Sequence, residues 1–317
     1  MKYLKRILHA VLFFAGLYCL LLLSSQFFLP KNNTEEAGME DLTANGFLAE
    51  KENSIDVLFL GDSEVHRSVI PMQIWKETGI TSYDCSSDRQ VLSYSFSLLK
   101  RAVDRQKPKI VFLETDAVYR EHSPMVALYN EVSELFPIFR YHDRWKKMSK
   151  HDLTLSAKRT WRHYNKGYKY AIKGDPSTNK NYIVPTDEKE DIPKINIMYT
   201  KMIKDYCDSI GAKFVLLSTP STINWNYKQH NGLKQFAEEL GCDYIDMNLM
   251  PNEVPIDWDI DTFDKGNHLN YRGAVKVTNY LTKYITETGL CKSHKGDPEY
   301  AQWDEDYKQF EEQVNAN

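Results

Sequence analysis

The chain has 317 residues, 42% of them hydrophobic and 26% charged, and its 40 Lys and Arg against 44 Asp and Glu give a net charge of -4. This composition excludes a wholly disordered chain, a collagen and a multi-span membrane protein, and the charge balance excludes a global polycation built for nucleic acid. Five cysteines (Cys19, Cys85, Cys207, Cys242 and Cys291) are too few for a disulfide scaffold, and their wide spacing, with no CxxC or CxxxH pairing, argues against a zinc site.

Lys2, Lys5 and Arg6 precede a run from Ile7 to Leu29 that carries no Asp, Glu, Lys or Arg. As a helix it would be roughly 35 Å long, enough to cross a hydrocarbon core of about 30 Å. The run ends Ser-Gln-Phe-Phe-Leu-Pro, which lacks the small residues of a signal-peptidase site. Residues 1–30 therefore read as a signal-anchor, and the basic flank predicts a cytoplasmic N-terminus with the body outside. Residues 31–53 are polar and read as a linker.

From here strands alternate with helices. Ile55–Leu60 is a short apolar run ending at Gly61, the pattern of a buried strand. Pro71 opens and Gly79 closes a helix. Residues 82–85 make a second strand, 91–102 a helix with apolar residues at helical spacing, and 110–113 a third strand. The alternation resumes with a helix over 195–210, a strand at 214–217, a helix over 233–240, a strand at 244–247 and a last helix over 274–285. Such a series implies a parallel sheet covered on both faces, with the site at the carboxyl ends of the strands. Residues 117–194 interrupt it as a long insertion without a clear strand series, and 292–317 read as an acidic C-terminal segment, a solvated tail or a terminal helix.

Gly61-Asp62-Ser63 follows directly on the first strand. A sharp turn there, which glycine permits, would present Ser63 at the carboxyl edge of the sheet, where its N–H could also serve an oxyanion. A serine hydroxyl needs a base to act as a nucleophile. Of the nine histidines, His268 is the best candidate, because it sits in a turn-rich loop just before the final helix. Asp264, four residues earlier, is the favoured carboxylate to fix its tautomer, and Asp261, seven residues earlier, is the alternative. Taken singly, Ser63 reads as a turn serine capping the following helix and His268 as a surface-loop residue. Their placement at the first and last units of an α/β chain is what singles them out.

These residues resemble the blocks of the SGNH/GDSL hydrolase superfamily over most of 55–288. Gly61-Asp62-Ser63 is similar to the first block and Asp264–His268 to the last. Tyr83–Gln90 and His268-Leu-Asn-Tyr-Arg-Gly resemble membrane-anchored, extracytoplasmic members such as the teichoic-acid D-alanyl transfer and alginate O-acetylation proteins. The resemblance implies a flavodoxin-like three-layer α/β/α fold. It also implies ester hydrolysis or acyl transfer through an acyl-serine, with no metal or cofactor. For a transferase it implies a polytopic membrane acyltransferase partner that delivers the acyl group. Three positions depart from the pattern. Lys265 stands where the family has its aspartate. The second-block glycine has no counterpart, leaving Ser86 or Ser87 as oxyanion donors beside Ser63. The third strand ends Leu113-Glu114-Thr115-Asp116, without the family's asparagine.

Residues 138–173 hold eleven Lys and Arg against Asp143 and Asp152, interleaved with Trp145, Trp161, Tyr164, Tyr168 and Tyr170. On an external anchored protein this field suits anionic lipid or an anionic envelope polymer rather than nucleic acid, and it is expected to flank the Ser63 cleft. The bland alternative is a solvated helical lid. The sequence thus points to an anchored serine esterase or O-acyltransferase acting on an acylated envelope polysaccharide. A non-catalytic scaffold that keeps the fold is the alternative, and the two missing family positions favour it.

Overall fold

A computed structural model describes residues 2–154 and 156–316. The chain divides into two compact units, residues 1–42 with 123–161, and residues 43–122 with 162–317.

The larger unit is built on a five-stranded parallel sheet. Its strands are β1 (Val57–Gly61), β2 (Ser82–Ser86), β3 (Ile110–Glu114), β4 (Lys213–Ser218) and β5 (Asp243–Asp246), in the order β2-β1-β3-β4-β5. That is the flavodoxin-like doubly wound order, whose switch point lies between β1 and β3. The helices, with those of the smaller unit included in chain order, begin with α1 (Lys2–Phe28), α2 (Ser63–Ser68), α3 (Pro71–Thr78), α4 (Leu92–Val103), α5 (Asp116–Tyr119) and α6 (Pro124–Leu135). They continue with α7 (Ile138–Tyr141), α8 (Lys194–Ser209), α9 (Tyr227–Leu240), α10 (Tyr271–Glu287) and α11 (Ala301–Asn315).

Successive strand side chains point to opposite faces, so each strand feeds two cores. Val57, Phe59, Ile110, Phe112, Val215 and Leu217 pack with Ile74 of α3 and with Val277, Leu281 and Ile285 of α10. Leu58, Leu60, Val111, Leu113, Phe214 and Leu216 face the other way and are also buried, on the side covered by α4 and α8. The result is three layers, α/β/α, as the alternation predicts.

Two expected segments differ. Residues 43–53 belong to the larger unit: Phe47 is buried edge-on against Tyr83, at 6.1 Å between ring centroids, and the Tyr83 hydroxyl donates to Thr43 O. The acidic C-terminus takes the second of its two expected forms, a terminal helix, and that helix is packed rather than solvated all round. In α11, Trp303 and Phe310 are buried, Trp303 packs on Trp75 of α3 at 5.6 Å, and Asp306 accepts from the fully buried Lys166 at 2.5 Å. Lys166 also meets Glu50 at 2.7 Å and sits 4.4 Å from the centroid of the Trp303 ring. The surface charges of α11 hide a narrow inward face of two aromatics and one paired carboxylate.

In the smaller unit, α1 is long and apolar enough to cross a membrane. Beside it lie α7 and the short 3-10 turns His142–Lys146 and Lys150–Leu153, and α6 packs on α7. Arg144 ties the unit together by donating to the carbonyls of Phe28 (2.5 Å) and Ala37 (2.6 Å) and pairing with Asp152 (2.5 Å). The basic stretch 138–173 is thereby split: 138–161 belongs with α1, and only 162–173 belongs with the sheet. Leu155 lies outside the described residues.

Candidate active site

Ser63 is the first residue of α2, immediately after β1 and Asp62. Asp62 caps the helix by accepting the Glu64 N–H at 3.0 Å. Gly61 serves the turn through space rather than through an unusual φ. A Cβ there would lie 2.5 Å from Val65 Cγ2 and 2.7 Å from Glu114 Cβ, so only hydrogen fits between α2 and β3. Ser63 N–H, at the helix start, is among the N–H groups that lack an intrahelical acceptor.

Ser63 and His268 meet. His268 Nε2 lies 2.9 Å from Ser63 Oγ, and Nδ1 lies 2.7 Å from Asp264 Oδ2. The other Asp264 oxygen accepts the His268 backbone N–H at 2.7 Å. With Nδ1–H donated to a carboxylate, Nε2 is left as the acceptor of the serine proton. The four-residue separation is bridged by Lys265 (φ 62°) and Gly266 (φ 91°), both left-handed, which coil the loop so that one carboxylate reaches both backbone and ring. A side chain at Gly266 would lie 2.0 Å from Thr222 Oγ1, so glycine is required there on two grounds. Burial opposes the charge of Asp264, but its hydrogen bonds with His268 prevail and hold the carboxyl below its usual range.

Asp261 is engaged elsewhere. Its Oδ2 accepts the Asp257 N–H at 2.7 Å and pairs with Lys276 at 2.5 Å, which braces the base of the loop. The alternative acid is therefore set aside in favour of Asp264.

The two serine hydroxyls expected as oxyanion donors are occupied. Ser86, buried at the end of β2, lies 3.1 Å from His66 Nδ1, and His66 Nε2 pairs with Asp88 at 3.2 Å. Burial, reinforced by Lys169, keeps His66 neutral and its pKa well below the usual imidazole value. With Nε2–H directed to Asp88, Nδ1 accepts the Ser86 O–H. Ser87 Oγ donates to Gln90 at 3.1 Å. Ser63 keeps a donor of its own for an oxyanion, the backbone N–H at the start of α2.

Several residues of the site were not singled out by sequence. Asn224, in the loop after β4, donates from Nδ2 to Glu64 Oε1 (2.7 Å) and to Asn267 Oδ1 (2.9 Å). Asn267 in turn lies 3.1 Å from His268 Nδ1. Ser63 and His268 are thus linked a second time, through the neighbour of each. Glu64 is buried, and its carboxyl is pushed well up by desolvation and by Glu114, Asp62 and Asp116. Arg120 binds both Asp62 and Asp116 beneath the nucleophile turn. Glu64 and Asn267 sit directly beside the motif residues, and that adjacency was the available signal. Asn224 had none, because a loop asparagine far along the chain has no spacing to mark it.

The part of the insertion that belongs to this unit runs along the site. Lys169 N–H donates to His66 O (2.7 Å), Tyr271 N–H to Ala171 O (2.6 Å) and Lys265 N–H to Asp175 O (2.9 Å). Residues 169–175 therefore strap α2, α10 and the His268 loop together.

No family model matches the chain, and no curated protein does. Among solved structures it is similar to a GDSL-like lipase from Bacteroides thetaiotaomicron, at 12% identity and a TM-score of 0.41 over 78% of this chain and 99% of that one. It is also similar to the lipase/acylhydrolase from Enterococcus faecalis, at 9% identity and a TM-score of 0.41 over 76% of this chain and 100% of that one. A psychrotrophic esterase from a Pseudoalteromonas species matches at 9% identity and a TM-score of 0.39, over 74% of this chain and 97% of that one. At such scores the likeness carries no argument about chemistry, and the case for chemistry stands on the site's own geometry.

Proposed function

We propose that the protein is a serine esterase or O-acyltransferase, anchored by α1 with its sheet unit outside the cytoplasm, that acts on an acylated cell-envelope polysaccharide or related glycopolymer. One observation carries the chemistry: the continuous Ser63–His268–Asp264 chain at the carboxyl edge of the sheet. Ser63 Oγ attacks the acyl carbonyl while His268 Nε2 takes its proton, and a tetrahedral oxyanion forms at the Ser63 N–H. Its collapse expels the alcohol, which leaves with the proton from His268, and the acyl group stays on Ser63. Water or a polymer hydroxyl, deprotonated by His268, then takes the acyl group and restores Ser63. Asp264 holds the ring and offsets the imidazolium charge. An acyltransferase partner spanning the membrane would supply the acyl donor in the transfer direction.

Labelling of the detergent-solubilised full chain with a fluorophosphonate tests this reading, together with turnover of a small acetyl ester with and without a polysaccharide acceptor. Label should appear on Ser63 and disappear in Ser63→Ala. Ser63→Ala, His268→Ala and the double variant should all fall close to background, because groups that act as a unit are not additive. A second reading, a non-catalytic scaffold, is favoured by the hydroxyls of Ser86 and Ser87 being committed to His66 and Gln90. An unlabelled wild type, with Ser63→Ala fully functional in cells, would leave that reading alone.

A further inference from the structure

The smaller unit reverses the usual rule of burial. Its buried side chains include Asn33, Asn130, Ser133, Arg140, Arg144 and Asp152, while Met125, Leu128, Tyr129, Leu135, Phe139 and Trp145 stand exposed. Helix α6 shows the reversal most clearly. Ala127, Asn130, Glu131 and Glu134 fall at helical spacing on one stripe. Asn130 and Glu134 of that stripe meet the buried Arg140, at 3.2 Å and 3.5 Å. Met125, Leu128 and Tyr129 fall on the opposite stripe, and there Leu128 is 55% exposed and Met125 69%. In water a helix of this pattern would turn the other way round.

The contacts with α1 fix where this apolar surface lies. Tyr18 is the central residue of the uncharged run from Ile7 to Leu29. The Phe136 ring, between α6 and α7, packs edge-on against the Tyr18 ring at 5.7 Å between centroids. Ten residues of helix separate Tyr18 from Phe28, about 15 Å along the axis, or half of a hydrocarbon core of about 30 Å. Ile138 N–H donates to Ser25 Oγ, one turn from the end of α1, and Arg144 reaches the carbonyls at that end. Going from 136 to 144, the chain climbs from the middle of the apolar run to its edge. At that edge Trp145 is exposed beside Lys146, Lys147 and Lys150, the aromatic and basic pairing suited to a headgroup layer.

We infer that residues 124–145 form a re-entrant membrane element. Helix α6 and the Phe136–Phe139 turn sit in the hydrocarbon beside α1, with the apolar stripe against lipid acyl chains, and Trp145 and the adjoining lysines lie at the headgroups. The inference rests on α1 spanning the membrane and goes beyond it, since a simple anchor needs no second element in the bilayer. The paired polar stripe supplies what burial in lipid demands: side chains that face inward with their partners already in place.

A photoreactive diazirine amino acid placed in turn at Leu12, Leu128, Phe139 and Met198 of the full chain in native membranes tests this. Met198 is an exposed apolar residue of α8, in the sheet unit. After illumination, lipid adducts read by mass should be as abundant at Leu128 and Phe139 as at Leu12, and absent at Met198. Lipid at Leu12 alone would overturn the re-entrant element and leave the anchor standing. Adducts at Leu128 and Phe139 to another polypeptide would overturn lipid as the occupant and identify a protein partner instead. No lipid at Leu12 would remove the anchor and the inference with it.

Discussion

The Asp264 carboxylate performs two tasks that an amide cannot perform together. One oxygen accepts the His268 backbone N–H and the other accepts Nδ1–H, each at 2.7 Å. In Asp264→Asn the single amide oxygen stays with the backbone N–H, which has a fixed direction, and the NH2 group faces Nδ1. The ring then changes tautomer: Nδ1 accepts, and Nε2 carries a proton toward Ser63 Oγ, where an acceptor is needed. A tautomer error of this kind costs about four orders of magnitude in kcat, about 5.5 kcal/mol. Asn267 offers an internal rescue, since its amide nitrogen already lies 3.1 Å from His268 Nδ1. Adding Asn267→Asp to Asp264→Asn puts a carboxylate back within reach of Nδ1–H while residue 264 keeps the backbone N–H. The double variant should regain about a hundredfold of the loss, and Asn267→Asp alone should stay within about tenfold of wild type. Initial rates on a small acetyl ester, with the rate of fluorophosphonate labelling at Ser63 as a second readout, decide the matter. If Asp264→Asn keeps more than about a tenth of the wild-type kcat while Ser63→Ala is inactive, tautomer control by Asp264 is refuted.

Glu64→Gln should leave kcat nearly unchanged, because burial favours the neutral carboxyl that Gln resembles and Gln preserves the acceptor for Asn224. Glu64→Ala removes that acceptor and should lower stability by about 1–3 kcal/mol, read as a denaturant midpoint. Burial and the neighbouring Asp62 raise Asp116 to about 7 against the pull of Arg120. The folded state therefore keeps a proton that the unfolded chain has already released, and the contribution of Asp116 to stability falls as pH rises from the usual carboxylate range through about 7. Asp116→Asn should shrink the difference in denaturant midpoint between about pH 5 and about pH 8, and an unchanged difference would acquit this carboxyl. Lys166→Met removes the fully buried cation from the carboxylates of Glu50 and Asp306, leaves them paired with Arg162, and should cost about 1–3 kcal/mol in thermal or urea unfolding, whereas loss of an exposed pair such as Lys308–Glu305 should leave the unfolding midpoint nearly unchanged.

The sheet was legible because its signals are local and redundant. β1, β3 and β4 are apolar runs, and α3, α8, α9 and α10 carry apolar stripes with a Gly or Pro at or near a boundary. Ser63 and His268 could be paired from sequence because topology alone delivers the ends of the first strand and of the last loop to one edge. What the sequence did not show was the helix α2 that Ser63 itself begins, which at six residues is too short for any period. It also did not show how Asp264 could serve from four residues away. That depends on two consecutive left-handed residues, and the second of them, Gly266, is fixed by the approach of Thr222 from a distant loop. The sequence shows that Ser86 and Ser87 carry hydroxyls, while whether these are available depends on His66 and Gln90.

The insertion spans a boundary that its charge pattern does not mark. Its basic residues run across 138–173, yet charge along a chain says nothing about where the chain crosses from one folded body to another. Arg162 marks that crossing. It turns to Asp306 of α11, while Arg159, three residues earlier, donates to Pro30 O beside the end of α1. The apolar stripe of α6 shows a second limit of sequence patterns. A stripe of helical period indicates that one face is removed from water, and in a soluble body that means the core. Here the opposite face makes the internal contacts, through Asn130, Glu134 and Arg140, so the apolar stripe needs another medium. Periodicity identifies the two faces of α6; only the partners of its polar residues show which of them looks inward.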